Sequence, residues 1–306
     1  MRDWRIGVVG CGLIGVSWAA LFQSYGYKVA AWDPSSSVRE QFPHRVAGVL
    51  NSMRDLGLQV VADAPRIVSL ETIDEVAETC RFIQENAPER LELKRELFNR
   101  IASVDAPQRI VASSTSSLTW PEMFEGISGN VMWLTAHPFN PPHLVPLVEI
   151  FSPDSHAAET ASTFYRSVGK FPVRLKKPAV GHIANRLASA LWREAVDLVA
   201  QDVADPEDID AALVQGPGVR WAIMGAHMAY HLGGGSGGIR DYLNHLGPSQ
   251  ERRWSTLGQP RLTPDICERI AVGVDREAGN NSILALEAVR DQSIVSILKA
   301  RRTIPE

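Results

Sequence analysis

The 306-residue sequence has few cysteines, no long apolar run and little net charge, and each shortage argues against a class of protein. Its three cysteines, Cys11, Cys80 and Cys267, are widely separated and in no metal-ligand spacing, which favours a reducing cytoplasm over a disulfide framework. No run approaches the ~18 apolar residues of a membrane span. A formal net charge of −4 gives no electrostatic reason to expect nucleic acid or an anionic membrane surface as a partner.

The first residues also lack the features of a secretory signal. A charged start, from Met1 to Arg5, leads directly into a short apolar strand, without an apolar signal region and a cleavage site. We therefore expect a soluble, cytoplasmic protein. The composition, 45% hydrophobic and 22% charged, is that of an ordinary globular protein, and the length allows two domains.

Short apolar runs alternate with longer amphipathic ones up to about residue 177. Strands are predicted at 5–10, 28–32, 80–85, 109–114, 131–137, 145–151 and 171–176, with helices at 13–24, 89–101 and 157–168 between several of them. This alternation predicts an α/β fold, with a Rossmann-type, mostly parallel sheet that carries helices on both faces. Beyond Pro178 only helical spacing continues, to Arg302. We predict a sheet domain over 1–178 and an all-helical domain over 179–306.

A glycine-rich turn follows the first strand and opens a helix, in the sequence GVVGCGLIG. Gly10 permits the tight turn, Gly12 lets the backbone approach a pyrophosphate, and Gly15 lets helix and strand pack closely. Three glycines in this pattern are a weak signal when they stand alone. In this context they predict a dinucleotide site, in which Leu13 and Ile14 are also candidate contacts.

An acidic residue, Asp33, directly follows the second strand and strengthens the prediction. Its carboxylate can accept hydrogen bonds from the ribose hydroxyls on the adenine side of a dinucleotide. The alternative is that Asp33 only caps the chain before Pro34. A carboxylate there would repel a 2′-phosphate, and no basic residue follows until Arg39. We therefore predict NAD, and not NADP, as the cofactor.

The stretch AHPFNPPHLVPLVEI places His137 and Glu149 on either side of a proline-rich bend. Oxidation of an alcohol by a nicotinamide requires removal of a proton, and histidine commonly takes it. A neighbouring carboxylate can fix the tautomer of the ring and stabilise the imidazolium. If the two strands are neighbours, both side chains reach the same edge of the sheet. From the residues alone, a structural ion pair fits as well as a catalytic dyad.

Four stretches resemble the 3-hydroxyacyl-CoA dehydrogenase superfamily, and the resemblance runs over nearly the whole chain. They are QENAPERLELK (84–94), SSTSSL (113–118), AHPFNPPHLVPLVEI (136–150) and GHIANRLA (181–188). The resemblance implies that His137 is the catalytic acid/base and Glu149 its partner. It further implies that Ser116 contacts the substrate oxygen, that Asn185 lies beside the reacting carbon, and that Glu89 belongs to the cofactor site. Alone, Ser116 could lie in a solvated turn and Asn185 could be a local hydrogen bonder.

Other motifs resemble two branches of that family that act on free acids. VRDQSIVSILKARR (289–302) resembles L-gulonate 3-dehydrogenase, which is also lambda-crystallin, whereas ALWREA (190–195) and GVRWAIMG (218–225) resemble L-carnitine dehydrogenase. In the acyl-CoA enzymes of the family, a helical hairpin after the acid of the second strand helps to hold the CoA adenine. The corresponding segment is shorter here, which argues against a CoA thioester.

Arg220 and Trp221 are candidate substrate contacts in the helical domain. A guanidinium can bind a carboxylate through two hydrogen bonds, and an indole can face a quaternary ammonium. Alternatively, Arg220 is solvated and Trp221 lies in the core. The substrate therefore stays open between a sugar-type hydroxy acid and carnitine or a close analogue. No metal is predicted.

We predict an NAD-dependent oxidoreductase that converts the 3-hydroxyl of a small free hydroxy acid to a 3-keto acid, with His137 as the general base. The alternatives are a short-chain 3-hydroxyacyl-CoA dehydrogenase and a crystallin-like structural protein that binds NADH. The helices after residue 180 carry more apolar residues than one small layer can cover. We therefore expect a homodimer built through the second domain.

Overall fold

A computed structural model describes residue 1 and residues 3–301 of the chain. The first part forms one eight-stranded sheet with the strand order β3-β2-β1-β4-β5-β6-β7-β8. The strands are β1 Arg5–Val9, β2 Lys28–Trp32, β3 Val68–Ser69, β4 Phe82–Glu85, β5 Arg109–Ser113, β6 Val131–Pro138, β7 Leu147–Phe151 and β8 Phe171–Arg174. All neighbouring strands are parallel except β6 and β7. The sequence did not indicate β3, because two residues are too few for an alternating pattern.

Helices cover both faces of the sheet. They are α1 Leu13–Ser24, α2 Ser36–Asp55, α3 Ile73–Thr79, α4 Leu91–Ser103, α5 Trp120–Phe124 and α6 Ser155–Ser167. Successive strand residues point to opposite faces, so Val8 packs in one buried cluster and Val9 in another. The first cluster includes residues of α1, α2 and α6, and the second includes residues of α3, α4 and α5. The predicted α/β class is confirmed.

The chain divides into two compact units, residues 1–186 and 187–306. The division falls inside α7, Ala184–Ala200, so residues 179–186 belong to the first unit although the strand signals end at Pro178. The second unit is helical, as predicted. Its further helices are α8 Pro206–Leu213, α9 Val219–Trp221, α10 Ala226–Gly233, α11 Gly238–Trp254, α12 Pro264–Ala278 and α13 Ile283–Arg301. None of the helices within residues 3–301 is long and apolar enough to cross a membrane.

Candidate active site

The glycine turn between β1 and α1 requires glycine at two of its three positions. Gly10 has a φ of +86°, and a Cβ there would lie 2.8 Å from the backbone of Asn86. A Cβ on Gly15 would lie 2.0 Å from the carbonyl oxygen of Gly10. At Gly12, by contrast, no atom lies within 4 Å of the Cβ position. This open space adjoins the N-terminus of α1, where free N–H groups attract phosphate, so the turn fits a dinucleotide pyrophosphate.

Asp33, at the end of β2, is held against this turn. Its Oδ2 accepts a hydrogen bond from the N–H of Cys11 at 2.9 Å, and its Oδ1 accepts one from the N–H of Ser35 at 3.1 Å. A carboxylate has about four lone-pair sites, so acceptor capacity is left for ribose hydroxyls. The predicted contacts Leu13 and Ile14 lie in the first turn of α1, and Leu13 is exposed.

Two arginines of α2 lie beside this cofactor turn. Arg39 donates to the main-chain oxygen of Asp33 at 2.8 Å and pairs with Glu71 at 2.7 Å. Arg45 donates to the main-chain oxygen of Cys11 at 2.9 Å, which places its guanidinium against the glycine turn. Sequence reasoning missed Arg45, because the contact depends on how α2 packs.

His137 and Glu149 form a buried pair across the only antiparallel step of the described sheet. They lie directly opposite each other on β6 and β7, with the proline-rich segment as the connection. Nδ1 of His137 lies 3.0 Å from Oε2 of Glu149, and the residues are only 4% and 1% exposed. The two strands are therefore neighbours, which is the condition under which both side chains reach the same edge of the sheet.

The second oxygen of Glu149 is also occupied. Its Oε1 accepts the N–H groups of Ile183 and Ala184 at 2.8 and 3.0 Å. Burial raises the pKa of Glu149, but the hydrogen bonds from His137 and from these two amides outweigh burial, and the pKa lies below its ordinary value. Because an ionised Glu149 only accepts, it holds the proton of His137 on Nδ1 and leaves Nε2 available as a base.

His137 also lines a cavity of about 350 Å³. Its lining residues are Ile14, Ser114, Ser116, His137, Pro138, Phe139, Asn140 and Asn185. Nδ2 of Asn185 lies 3.4 Å from Nε2 of His137. The structure thus brings together His137, Glu149, Ser116 and Asn185, all within the first unit, next to Ile14 of the cofactor turn.

The loop that carries Ser116 is anchored by Glu89. Its Oε1 accepts hydrogen bonds from the hydroxyl of Thr115 at 2.6 Å and from the N–H groups of Ser116 and Ser117, both at 2.9 Å. Burial raises the pKa of Glu89. The hydrogen bonds from Thr115 and Ser117 and the charge of Lys94 outweigh burial and lower the pKa to about 2. Glu89 was predicted as a cofactor contact, which stays a prediction. Its hold on the Ser116 loop was not predicted.

The remaining predicted contacts, Arg220 and Trp221, lie in the second unit. Both belong to the three-residue helix α9 and both are exposed, with Trp221 44% accessible. The alternative that Trp221 lies in the core is therefore wrong for this chain. A role for either residue in substrate binding stays a prediction.

Two family models match the chain. The NAD binding domain of 3-hydroxyacyl-CoA dehydrogenase matches residues 5–178, and the C-terminal domain of the same enzyme matches residues 181–270. The chain belongs to the 3-hydroxyacyl-CoA dehydrogenase family. The predicted cofactor, NAD, and the predicted class of enzyme, a dehydrogenase of a CH–OH group, are thereby confirmed.

Known relatives share most of the chain length. L-carnitine dehydrogenase from Streptomyces coelicolor is 38% identical over 97% of this chain and 94% of that protein. L-carnitine dehydrogenase from Pseudomonas putida is 38% identical over 95% of this chain and 92% of that protein. A crystal structure of FHMPC 5-dehydrogenase, an NAD+-dependent dismutase, has a TM-score of 0.77 at 24% identity and covers both chains fully, which supports the fold.

Proposed function

We propose that this protein oxidises the 3-hydroxyl of a small, free hydroxy acid to the 3-keto acid, with His137 as the general base. The observation that carries the proposal is the buried pair of His137 and Glu149, in which His137 also lines the cavity beside the cofactor turn. A buried carboxylate that fixes one ring nitrogen and leaves the other exposed to a cavity is the arrangement that proton transfer requires.

NAD, when bound at the glycine turn, supplies the hydride acceptor. Gly10, Gly12 and Gly15 form that turn, and Asp33 would hold the ribose hydroxyls. The proton is transferred to a protein side chain: Nε2 of His137 accepts it from the substrate hydroxyl. The negative charge of Glu149 stabilises the imidazolium that results. Ser116 and Asn185 border the same cavity and orient the substrate oxygen.

L-carnitine or a close analogue is the first candidate substrate, and a sugar acid such as L-gulonate is the second. Carnitine is favoured because relatives of nearly the same length and 36–38% identity bear the name L-carnitine dehydrogenase. The segment after Asp33 contains one long helix, α2, and no helical hairpin, which argues against a CoA thioester. Arg220 would pair with the substrate carboxylate, and Trp221 would face a quaternary ammonium.

The test is NADH formation by the purified protein on L-carnitine, L-gulonate, 3-hydroxybutyrate and 3-hydroxybutyryl-CoA. We expect turnover of a free acid and little turnover of its methyl ester. Arg220→Met should raise KM for the acid about 10-fold or more, since a charge-assisted hydrogen bond contributes roughly 1.5–3 kcal/mol. NADH binding without turnover on any of these substrates, or a clear preference for the CoA thioester, would contradict the proposal.

We further propose that the protein is a homodimer in the cytoplasm, built through the second unit. Large apolar side chains are exposed along two helices of that unit. On α7 they are Leu187, Leu191 and Trp192, and on α13 they are Ile283, Leu284, Val289 and Ile297. Apolar surface of this extent is typical of an interface, and two-fold dimers are the commonest soluble oligomers.

A further inference from the structure

His182 is a buried histidine for which the proposed reaction has no direct use. It is 3% exposed and lies in the turn that leads into α7. Its φ of +49° is in the left-handed region, which residues other than glycine adopt rarely. A strained backbone of this kind persists where the surroundings enforce it, and such positions cluster at functional sites.

The ring of His182 stacks on the ring of His137. The two ring centroids are 4.9 Å apart, and the planes differ by 15°. Nε2 of His182 lies 3.1 Å from the carbonyl oxygen of Thr115, the residue before Ser116. A carbonyl oxygen only accepts, so Nε2 carries the proton and donates it to Thr115.

The other ring nitrogen favours a neutral His182. Nδ1 is buried and has no hydrogen-bond partner within residues 3–301. Protonation would bury a second N–H group without an acceptor, which costs free energy. The neutral tautomer leaves a bare lone pair there, which is less costly than an unpaired charge.

Three titratable groups face His182 from the elements packed against it: His137 on β6, Glu149 on β7, and Glu89 before α4. Burial lowers the pKa of His182 most, and the charge of His137 lowers it further. Together they outweigh the carbonyl of Thr115 and the two carboxylates, which raise it. The ring therefore stays neutral when His137 takes up a proton, and the site carries one imidazolium, not two.

The residues that follow His182 hold the same pair from other directions. The N–H groups of Ile183 and Ala184 bind Glu149, and the amide of Asn185 lies beside Nε2 of His137. The left-handed turn at His182 thus starts a segment, residues 182–185, that touches the face of the His137 ring, its reactive nitrogen and its carboxylate partner.

We propose that His182 is a positioning residue, which fixes the plane of the His137 ring by stacking and ties the Ser116 loop to that ring through the carbonyl of Thr115. The inference rests on the proposed role of His137 as the base. Glu149 binds the edge of the His137 ring and His182 covers its face, so the two constraints are perpendicular. One side chain also couples the base to the loop that borders the substrate cavity.

Two substitutions separate these contacts. His182→Asn tolerates the left-handed backbone but removes the ring, and its shorter amide no longer reaches the carbonyl of Thr115, whereas His182→Phe retains a ring face and removes only the donor. We expect His182→Asn to lower kcat by roughly 10- to 100-fold, since small misplacements of a catalytic group are costly. His182→Phe should keep kcat within a few-fold and raise KM, because the Ser116 loop is released. His156→Asn, at an exposed position on α6, is the matched control and should change neither.

NMR of the protein with ¹⁵N-labelled histidine gives a readout that does not depend on turnover. We expect His182 to be in the neutral Nε2–H form at neutral pH, because its pKa lies below the ordinary value. His182→Asn should shift the ring resonances of His137, while NADH binding, followed by fluorescence, stays normal and reports an intact fold. A His182 protonated at neutral pH, or unchanged kcat and unchanged His137 resonances in His182→Asn, would overturn the inference. Shifted resonances in a protein that oxidises no hydroxy acid would support the contact and count only against the proposed function.

Discussion

The two units of the chain differ in how they bury their apolar residues. In the first unit, large side chains fill clusters on both faces of the sheet, and Trp18, Phe22 and Phe98 are fully buried. In the described part of the second unit, the buried apolar residues are Val196, Val199, Tyr242 and Val295. The first unit therefore has a core of its own that supports its site, whereas the second unit has apolar faces that need another surface.

The largest expected effect is a loss of turnover from a substitution in the first unit that leaves the core of that unit intact. His137→Gln should lower kcat by roughly 10²- to 10⁴-fold, because general acid–base catalysis contributes about that much. NADH affinity, measured by fluorescence titration, and the melting temperature should change little. His156→Gln, on the exposed side of α6, serves as the control and should keep full turnover. Comparable turnover of the two variants would remove His137 from the mechanism.

The next effect concerns the second unit. Leu191→Asp places a charge on an exposed apolar position of α7, and burial of that charge in an interface would cost several kcal/mol. We expect the mass from light scattering at micromolar concentration to fall to that of a monomer, while NAD affinity is retained by the first unit. Ser189→Asp adds the same charge at an exposed polar position of that helix and should leave the mass unchanged. A monomeric mass for the unmodified protein would refute the dimer.

A smaller effect tests the cofactor edge of the first unit. Asp33→Ala removes the carboxylate proposed to bind the ribose and should weaken NAD binding about 10-fold, as expected for loss of a charge-assisted hydrogen bond. The ratio of NAD to NADP affinity should fall, because the charge that repels a 2′-phosphate is gone. Isothermal titration with both cofactors measures this ratio. Equal affinity of the unmodified protein for both would contradict the role of Asp33.

The smallest effect is a pH dependence of stability that belongs to the first unit. The pKa of Glu89 is about 2 in the fold, below its ordinary value of 4.5, so the unfolded chain binds more protons between these pH values. The stabilisation from Glu89 is therefore complete above about pH 4.5 and is lost as the pH falls towards 2. Urea unfolding across this range should show a weaker acid dependence in Glu89→Gln than in the unmodified protein. Identical pH dependence would argue against the anchoring of the Ser116 loop by Glu89.

The order and type of the main elements could be predicted from the sequence. Apolar alternation located seven of the eight strands, and the glycine turn with Asp33 indicated the dinucleotide site, because both depend on local spacing and on backbone geometry. His137 and Glu149 were also recognisable as candidates, from the proline-rich bend between two strand patterns and from the family resemblance of that stretch. Features formed by residues close together in the sequence could therefore be predicted.

Contacts between segments far apart in the chain required the tertiary structure. The antiparallel register sets His137 directly opposite Glu149 and so allows the hydrogen bond between them. His182 stacks on His137, and Glu89 accepts hydrogen bonds from the Ser116 loop. Both contacts join segments far apart in the chain, and the spacing of residues in the sequence does not indicate such contacts. His182 lies in the GHIANRLA stretch, but the sequence did not indicate its role, because a histidine becomes a buried neutral ring only when packing leaves its second nitrogen without an acceptor.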